Sequence, residues 1–376
     1  MCANRAVFAL CVLAAHAQAQ VCPPGDATFP DGDWPSRPVQ GKAAEVAALE
    51  KYAFEISGGL YGRQGLHTNA VVVIHRGVLV YEKYARGFGP SNRHLSWSVA
   101  KSISSALVGV AVERGVVSLD DSICVHLAEY AGQDVCRITV RDTITFGTGL
   151  DWAEEYENGK RQTSSVLPLF FGSGHRDQLR HILTHRFAAA PGTQWRYSTA
   201  DAQLAAAVAK RALTPSLGAD PFWPALFDPI GMREVVVEED ALGTPLGGSS
   251  FYATPREFAK FGYLFLKGGC WKGRRLLPDG WVAQSATPSA VFVSGAPEGE
   301  TRPSGYAWWL GRPVPERGVP SRWPDAPEDT YAAQGYWGQR IIVVPSEELV
   351  IVRTGDDRQE PLNTNDLVKH VLPVLR

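Results

Sequence analysis

A chain of 376 residues, 45% hydrophobic and 20% charged, can bury a large core as one big domain or two unequal ones. The formal net charge is −2 and there is no long basic run, so composition leaves no electrostatic footprint for a nucleic-acid partner.

The N-terminus reads as a leader. Arg5 precedes an apolar run over 6–15, and His16, Ala17, Gln18 and Ala19 supply an Ala-x-Ala cleavage site. A signal peptide is expected over 1–19. The run is too short to span a bilayer, and the mature protein is expected to be periplasmic or secreted, with no membrane span. Cys22, Cys124, Cys136 and Cys270 remain after cleavage, an even number that permits disulfides in an oxidising compartment. Bridging Cys124 to Cys136 would close a short loop, but three pairings are open. No Cys-x-x-Cys and no His-Glu-x-x-His occurs, so no metal site is expected.

Residues 20–42 are an irregular lead-in, rich in Pro and Gly over 22–42, and 43–376 is expected to form one domain. A helix is predicted over 45–56 from the spacing of Val46, Leu49, Tyr52 and Phe54. Residues 70–75 and 78–84, joined at Arg76 and Gly77, read as a β-hairpin. The period becomes helical over 98–114, where Ile103, Leu107, Val110 and Arg114 lie near one face and Gly115 is a stop. Further helices are predicted over 178–184, 199–212, 222–227 and 255–266, with turns at Pro191-Gly192 and Gly247-Gly248. Strand patterns return over 305–310, 330–333, 340–344 and 349–354, and 363–375 is a closing helix. The expected class is α+β. One antiparallel sheet is built from both ends of the chain (about 43–95 and 290–376) and flanked by terminal helices, with a mostly helical part over about 96–289 inserted between.

Ser98 and Lys101 stand three apart, on one face of the helix that starts there. A serine hydroxyl attacks a carbonyl only once its proton is taken. A lysine desolvated among Val99, Ala100, Ile103 and Ala106 could take it. The Ser98 N–H, at a helix start, could serve an oxyanion. Alone, the pair fits an N-cap serine and a solvated lysine better. Two later segments supply context. Tyr197-Ser198-Thr199 precedes an apolar helix, and a tyrosine beside an amine can shuttle a proton. Gly335 and Gly338 flank a strand and would let a ligand approach its backbone. Tyr336 and Trp337 are candidate pocket walls, whereas Trp195, Tyr306, Trp308 and Trp309 read as core. Glu154 and Glu155 read as a solvated loop, and Asp201 as a helix-start charge. There is no Gly-x-Ser-x-Gly and no P-loop.

In this order the motifs resemble those of the serine β-lactamase-like hydrolases. The nearer resemblance is to the class C-like branch of 6-aminohexanoate-dimer hydrolases, esterases and D-amino-acid-releasing peptidases. It extends over about 43–375 through "SLDDSICVHLAEY", "TGLDWAEEY", "PGTQWRYST", "LFDPIGMRE" and "GQRIIVVPSEELVIVRTG". The resemblance implies a β-lactamase/transpeptidase-like fold and acyl transfer through Ser98, with Lys101 as proton acceptor and Tyr197 in the relay. It implies an oxyanion site from the Ser98 N–H and the strand at Gln334–Gly335, and no cofactor. Two departures stand out. Thr199 occupies the third position of the family's Tyr-x-Asn motif, and Ala333-Gln334-Gly335 stands where Lys-Thr-Gly is usual. Both argue against β-lactam and D-Ala-D-Ala substrates. The expected activity is hydrolysis of a small ester or amide, with Gln334, Gly335, Tyr336, Trp337 and Thr199 as substrate contacts. The alternatives are a β-lactamase or D,D-peptidase, and a ligand-binding sensor on the same scaffold.

Overall fold

The computed structural model describes residue 22 and residues 28–56, 65–156, 163–358 and 362–376. The expected leader and part of the lead-in lie outside the described residues. In chain order the helices are α1 Ala43–Phe54, α2 Val99–Glu113, α3 Val140–Thr145, α4 Val166–Phe171, α5 Gln178–Leu183, α6 Thr199–Leu217, α7 Pro255–Leu266, α8 Trp281–Ser285, α9 Ala290–Gly295 and α10 Thr364–Leu375. The strands are β1 Thr68–His75, β2 Val78–Tyr84, β3 His94–Leu95, β4 Val236–Val237, β5 Phe251–Ala253, β6 Cys270–Trp271, β7 Arg274–Arg275, β8 Trp309–Leu310, β9 Tyr331–Gly335, β10 Gln339–Val344 and β11 Leu349–Gly355.

The main sheet has the order β2-β1-β11-β10-β9-β8, and its pairs are antiparallel. The N-terminal hairpin and the C-terminal meander meet at β1 and β11, so both chain ends build the sheet as expected. Its central strands are apolar on both faces because both are covered. Val71 and Val73 of β1, with Ile342, Val344 and Ile351, pack under α1 and α10 through Leu49, Ala53, Leu367, Val368 and Val371. The alternate residues Val72, Ile74, Ile341, Val343, Val350 and Val352 share the other core with α2, α6 and α7. Each such aliphatic side chain contributes about 1.5–3 kcal/mol on burial.

α7 lies inside the span 96–289 yet packs on β11, β10 and β1, so the helical part is not wholly separate from the sheet. Its bounds follow from local chemistry. Thr254 and Glu257 form a capping box, and Pro255 occupies the first helical position. The strand pattern over 305–310 shortens to Trp309–Leu310, because the chain turns at Ala307 with φ 58°. The stretch 222–227 contains a π-helical turn over Trp223–Phe227. The cysteines take one of the three open pairings, Cys22–Cys270 and Cys124–Cys136. Among the described residues no helix is long and apolar enough to cross a membrane. For the site, one packing matters most: α2 lies against α6, which brings their N-terminal ends together.

Candidate active site

Ser98 stands immediately before α2. The chain reaches it from β3, which pairs with β5. The Ser96 N–H donates to Phe251 O at 2.8 Å and the Ser96 hydroxyl to Ser249 O at 3.0 Å, which anchors the turn. Trp97 then adopts φ 46°, a left-handed conformation unfavourable for a bulky residue by about 1–3 kcal/mol. Its ring packs edge-on against Tyr336 and Trp337, with centroids 5.7 and 5.0 Å away. Ser98 itself does not cap α2 through its side chain. Its N–H makes no hydrogen bond among the described residues. The serine is therefore not occupied by the structural task a helix start usually gives it.

Lys101 is buried, 2% exposed. Its Nζ lies 2.8 Å from Thr199 Oγ1, 2.8 Å from Gly248 O and 3.1 Å from Ser98 Oγ. Counting donors shows what these contacts mean. The Thr199 hydroxyl directs its own hydrogen to Glu154 Oε1, so toward Lys101 it acts as acceptor. Gly248 O can only accept. A neutral amine has two N–H groups, which these two acceptors use, and its lone pair is left facing Ser98 Oγ. Burial pushes the lysine down to about 8, against the pull of Glu154 and Asp201. The neutral form is thus accessible near physiological pH.

Gly248 reaches Lys101 because it is a glycine. A Cβ there would meet Thr199 Cγ2 at 2.6 Å, and one on Gly247 would meet Ala206 Cβ at 2.2 Å. The Gly247-Gly248 pair is a close crossing over the start of α6 as well as a turn.

Tyr197 precedes the N-cap of α6, Ser198, whose hydroxyl accepts from Asp201 N at 3.1 Å. The tyrosine ring lies between Phe146 and Trp309, each 5.1 Å away by centroid, and 5.0 Å from Lys101 Nζ. Burial, reinforced by Glu154, holds its hydroxyl far above the usual phenol range, with the Ser98 hydroxyl and Arg302 pulling the other way. It remains a proton donor across physiological pH.

Glu154 departs from the solvated loop expected of it. Its carboxylate accepts from Trp152 Nε1 at 2.6 Å, Tyr156 OH at 2.5 Å, and the Thr199 N–H and hydroxyl at 2.9 and 2.5 Å, and it lies 3.9 Å from Lys101 Nζ. Its side chain is 9% exposed. Glu155 is different, holding Thr163 Oγ1 at an exposed position. Donors at Trp152 and Tyr156, two residues either side of Glu154, are the sequence signal that it would be enclosed. Asp201 is at the helix start as expected, and it is also buried, accepting from the Thr148 N–H and hydroxyl at 3.2 and 2.8 Å.

A cavity of about 410 Å³ opens over Ser98 and Tyr197. Gln334, Gly335, Tyr336 and Trp337 line it. Gly335 allows the end of β9 to meet the serine turn, since a Cβ there would lie 2.3 Å from Ser96 O. Thr199 does not line the cavity. It is fully buried and joins Lys101 to Glu154, which removes it from the substrate contacts. Sequence reasoning missed Tyr156, whose ring stacks 4.9 Å from that of Tyr336, and four arginines of the lining, Arg302, Arg322, Arg340 and Arg358.

An antiparallel sheet with a helical lobe, and a serine, lysine and tyrosine at their junction, define the serine β-lactamase-like class of folds. The chain belongs to the Beta-lactamase family, whose model matches residues 44–367. It is 25% identical over 304 residues to 6-aminohexanoate-dimer hydrolase of Paenarthrobacter ureafaciens, covering 76% of this chain and 72% of that one. A provisionally assigned 6-aminohexanoate-dimer hydrolase from Bacillus anthracis shares the fold with TM-score 0.68 at 20% identity, over 93% of this chain and 88% of that one. EstCE1, a hydrolase with promiscuous acyltransferase activity, shares it with TM-score 0.62 at 15% identity, over 89% and 98%.

Proposed function

We propose that this protein is an exported serine hydrolase of small esters or amides. The observation that carries the reading is the hydrogen-bond count at Lys101, whose neutral amine has only the Ser98 hydroxyl left to accept from. Ser98 Oγ attacks the carbonyl carbon while its proton passes to Lys101 Nζ, and the carbonyl π pair moves onto oxygen. The Ser98 N–H and the end of β9 stabilise that oxyanion, each donor contributing about 3–4 kcal/mol. Collapse expels the alcohol or amine, which takes a proton through Tyr197, and leaves an acyl ester on Ser98. Water then attacks the ester by the same route, releasing the acid and restoring the serine. The names of the relatives, a dimer hydrolase and a promiscuous hydrolase, support this class of reaction. A cavity of this volume suits one small molecule. The leader pattern and the two disulfides support export to an oxidising compartment.

The test is fluorophosphonate labelling with hydrolysis of p-nitrophenyl acetate and butyrate, comparing wild type with Ser98→Ala and Lys101→Ala. Both variants are expected to lose labelling and turnover. Activity that survives loss of Ser98 sinks the reading. Nitrocefin in parallel distinguishes a β-lactamase.

A further inference from the structure

A buried guanidinium is costly unless its donors are used and its charge is matched. Arg322, half-buried, lines the same cavity as Ser98 and meets these conditions only in part, with one side-chain hydrogen bond among the described residues and a partial charge match from Glu300. It packs against Trp309 and Trp323, its guanidinium carbon 5.4 Å from each ring centroid. Among the described residues its one side-chain hydrogen bond runs from Nη2 to Gln334 Oε1 at 3.3 Å. Nη1 is buried with no hydrogen-bond partner among them.

Glu300, the carboxylate that acts on Arg322, already receives two hydrogen bonds of 2.8 Å from Arg302, and Asp357 of the cavity lining is paired with Arg353. Arg340 adds a second buried positive charge, whose N–H groups reach the Gly335, Gln339 and Leu362 carbonyls and Thr364 Oγ1. Burial, and then Arg302, push the Arg322 guanidinium down to about 10 against the pull of Glu300, so it stays charged at neutral pH. The residue it touches, Gln334, belongs to the tripeptide that lacks the usual lysine.

We infer that Arg322 recognises a carboxylate, and that the substrate is an ester or amide bearing an anionic group within reach of Ser98. This rests on the hydrolase reading for the reacting bond, but not for the anion site. A planar carboxylate in the cavity matches the guanidinium fork at the Nε–Nη2 edge, Nη1 being closed off from the cavity. The anion belongs either to the acyl part or to the leaving group, and one experiment separates these sources.

Calorimetric titration is performed on the Ser98→Ala protein, which keeps amides intact. Glutaric acid monoanilide is compared with its methyl ester, and 4-(butyrylamino)benzoate with butyranilide. In at least one pair the carboxylate is expected to bind about tenfold more tightly. Adding Arg322→Gln should reduce that ratio to about one, while Arg322→Lys retains part of it, because lysine keeps the charge without the fork. A ratio taken within each variant cancels any general loss of affinity. No preference in either pair, or a preference that survives Arg322→Gln, overturns the proposal. Preference without Ser98-dependent hydrolysis would instead sink the hydrolase reading and keep the anion site.

Discussion

Glu154 Oε1 lies 3.9 Å from Lys101 Nζ, and the Thr199 hydroxyl links the two by accepting from the amine and donating to the carboxylate. The carboxylate favours the ammonium form, whereas burial favours the neutral amine, and burial is the larger influence. A base must be unprotonated to act, so the acid limb of the kcat/KM profile should have its midpoint near the lysine's value of about 8. Glu154→Gln removes the negative charge and keeps an acceptor for Thr199. The limb is expected to move to lower pH. A pH profile with p-nitrophenyl butyrate checks this, and a limb that stays put or moves upward refutes it.

Tyr197 is expected to matter in proportion to the leaving group. Its hydroxyl remains protonated and can supply a proton to a departing alkoxide or amine. A p-nitrophenolate leaves without one. Tyr197→Phe should therefore reduce kcat for an alkyl ester or anilide by about 10²-fold or more, and affect p-nitrophenyl esters far less. Equal losses on both would assign the tyrosine to packing against Phe146 and Trp309 alone.

These residues differ in how visible they are in the sequence. The i,i+3 spacing of Ser98 and Lys101 is visible but ambiguous alone, and only Tyr197 and the glycine-bearing strand further along the chain single the pair out, whereas α7 is legible through its own capping box. The sheet was legible for a similar reason, since long apolar runs at both chain ends have few other places to go. The short strands β3 to β7 span two or three residues, too few for alternation to register. Glu154 was misread because its local donors, Trp152 and Tyr156, went unweighed and the rest of its enclosure comes from Thr199, 45 positions later. Arg322 gives only half a sign, since Trp323 is its chain neighbour but Trp309 and Gln334 are brought to it by the fold.

Asp201 should make stability depend on pH. Burial raises its carboxyl from 3.8 to about 7, despite bonds from Ser198 and Thr148 that favour the charged form. Between those values the folded state holds a proton that the unfolded state has released. The contribution is therefore fully present below about 3.8 and is lost as pH rises through about 7. Asp201→Asn, which is neutral throughout, should flatten this dependence and raise the melting temperature at pH 8 relative to wild type. Scanning calorimetry at pH 5, 6, 7 and 8 provides the comparison. A variant less stable than wild type at pH 8 would show that the accepted hydrogen bonds outweigh the cost of burying the charge.

Local and global staples should separate in unfolding experiments. Cys124–Cys136 closes a loop with a sequence separation of 12, which in the chain-entropy view contributes about 3 kcal/mol. The paired Cys124→Ser and Cys136→Ser variant is expected to lose roughly that much in urea unfolding while keeping the kcat/KM of wild type, because the loop lies outside the cavity lining. A large loss of activity at unchanged stability would contradict the assignment of this bridge to stability.

The ion pair Arg353–Asp357 is fully buried and connects the sheet to the cavity rim. Arg353 donates to Asp357 Oδ1 at 2.6 Å, to Thr68 Oγ1 at 2.7 and 3.1 Å, and to Gly338 O at 3.1 Å. Asp357 also accepts from the His67 and Leu362 N–H groups. Every partner is placed, so removing one charge leaves the other buried without its counter-charge. Asp357→Ala is expected to cost about 3–5 kcal/mol, read as a fall in the urea midpoint. Asp357→Asn should cost less, since an amide oxygen can still accept from Arg353. The pair also holds Gly338, next to Trp337 on the cavity wall, so Asp357→Asn should raise KM more than it lowers kcat. If Asp357→Ala unfolds at the wild-type midpoint, the pair is not the connection between sheet and rim that its geometry describes.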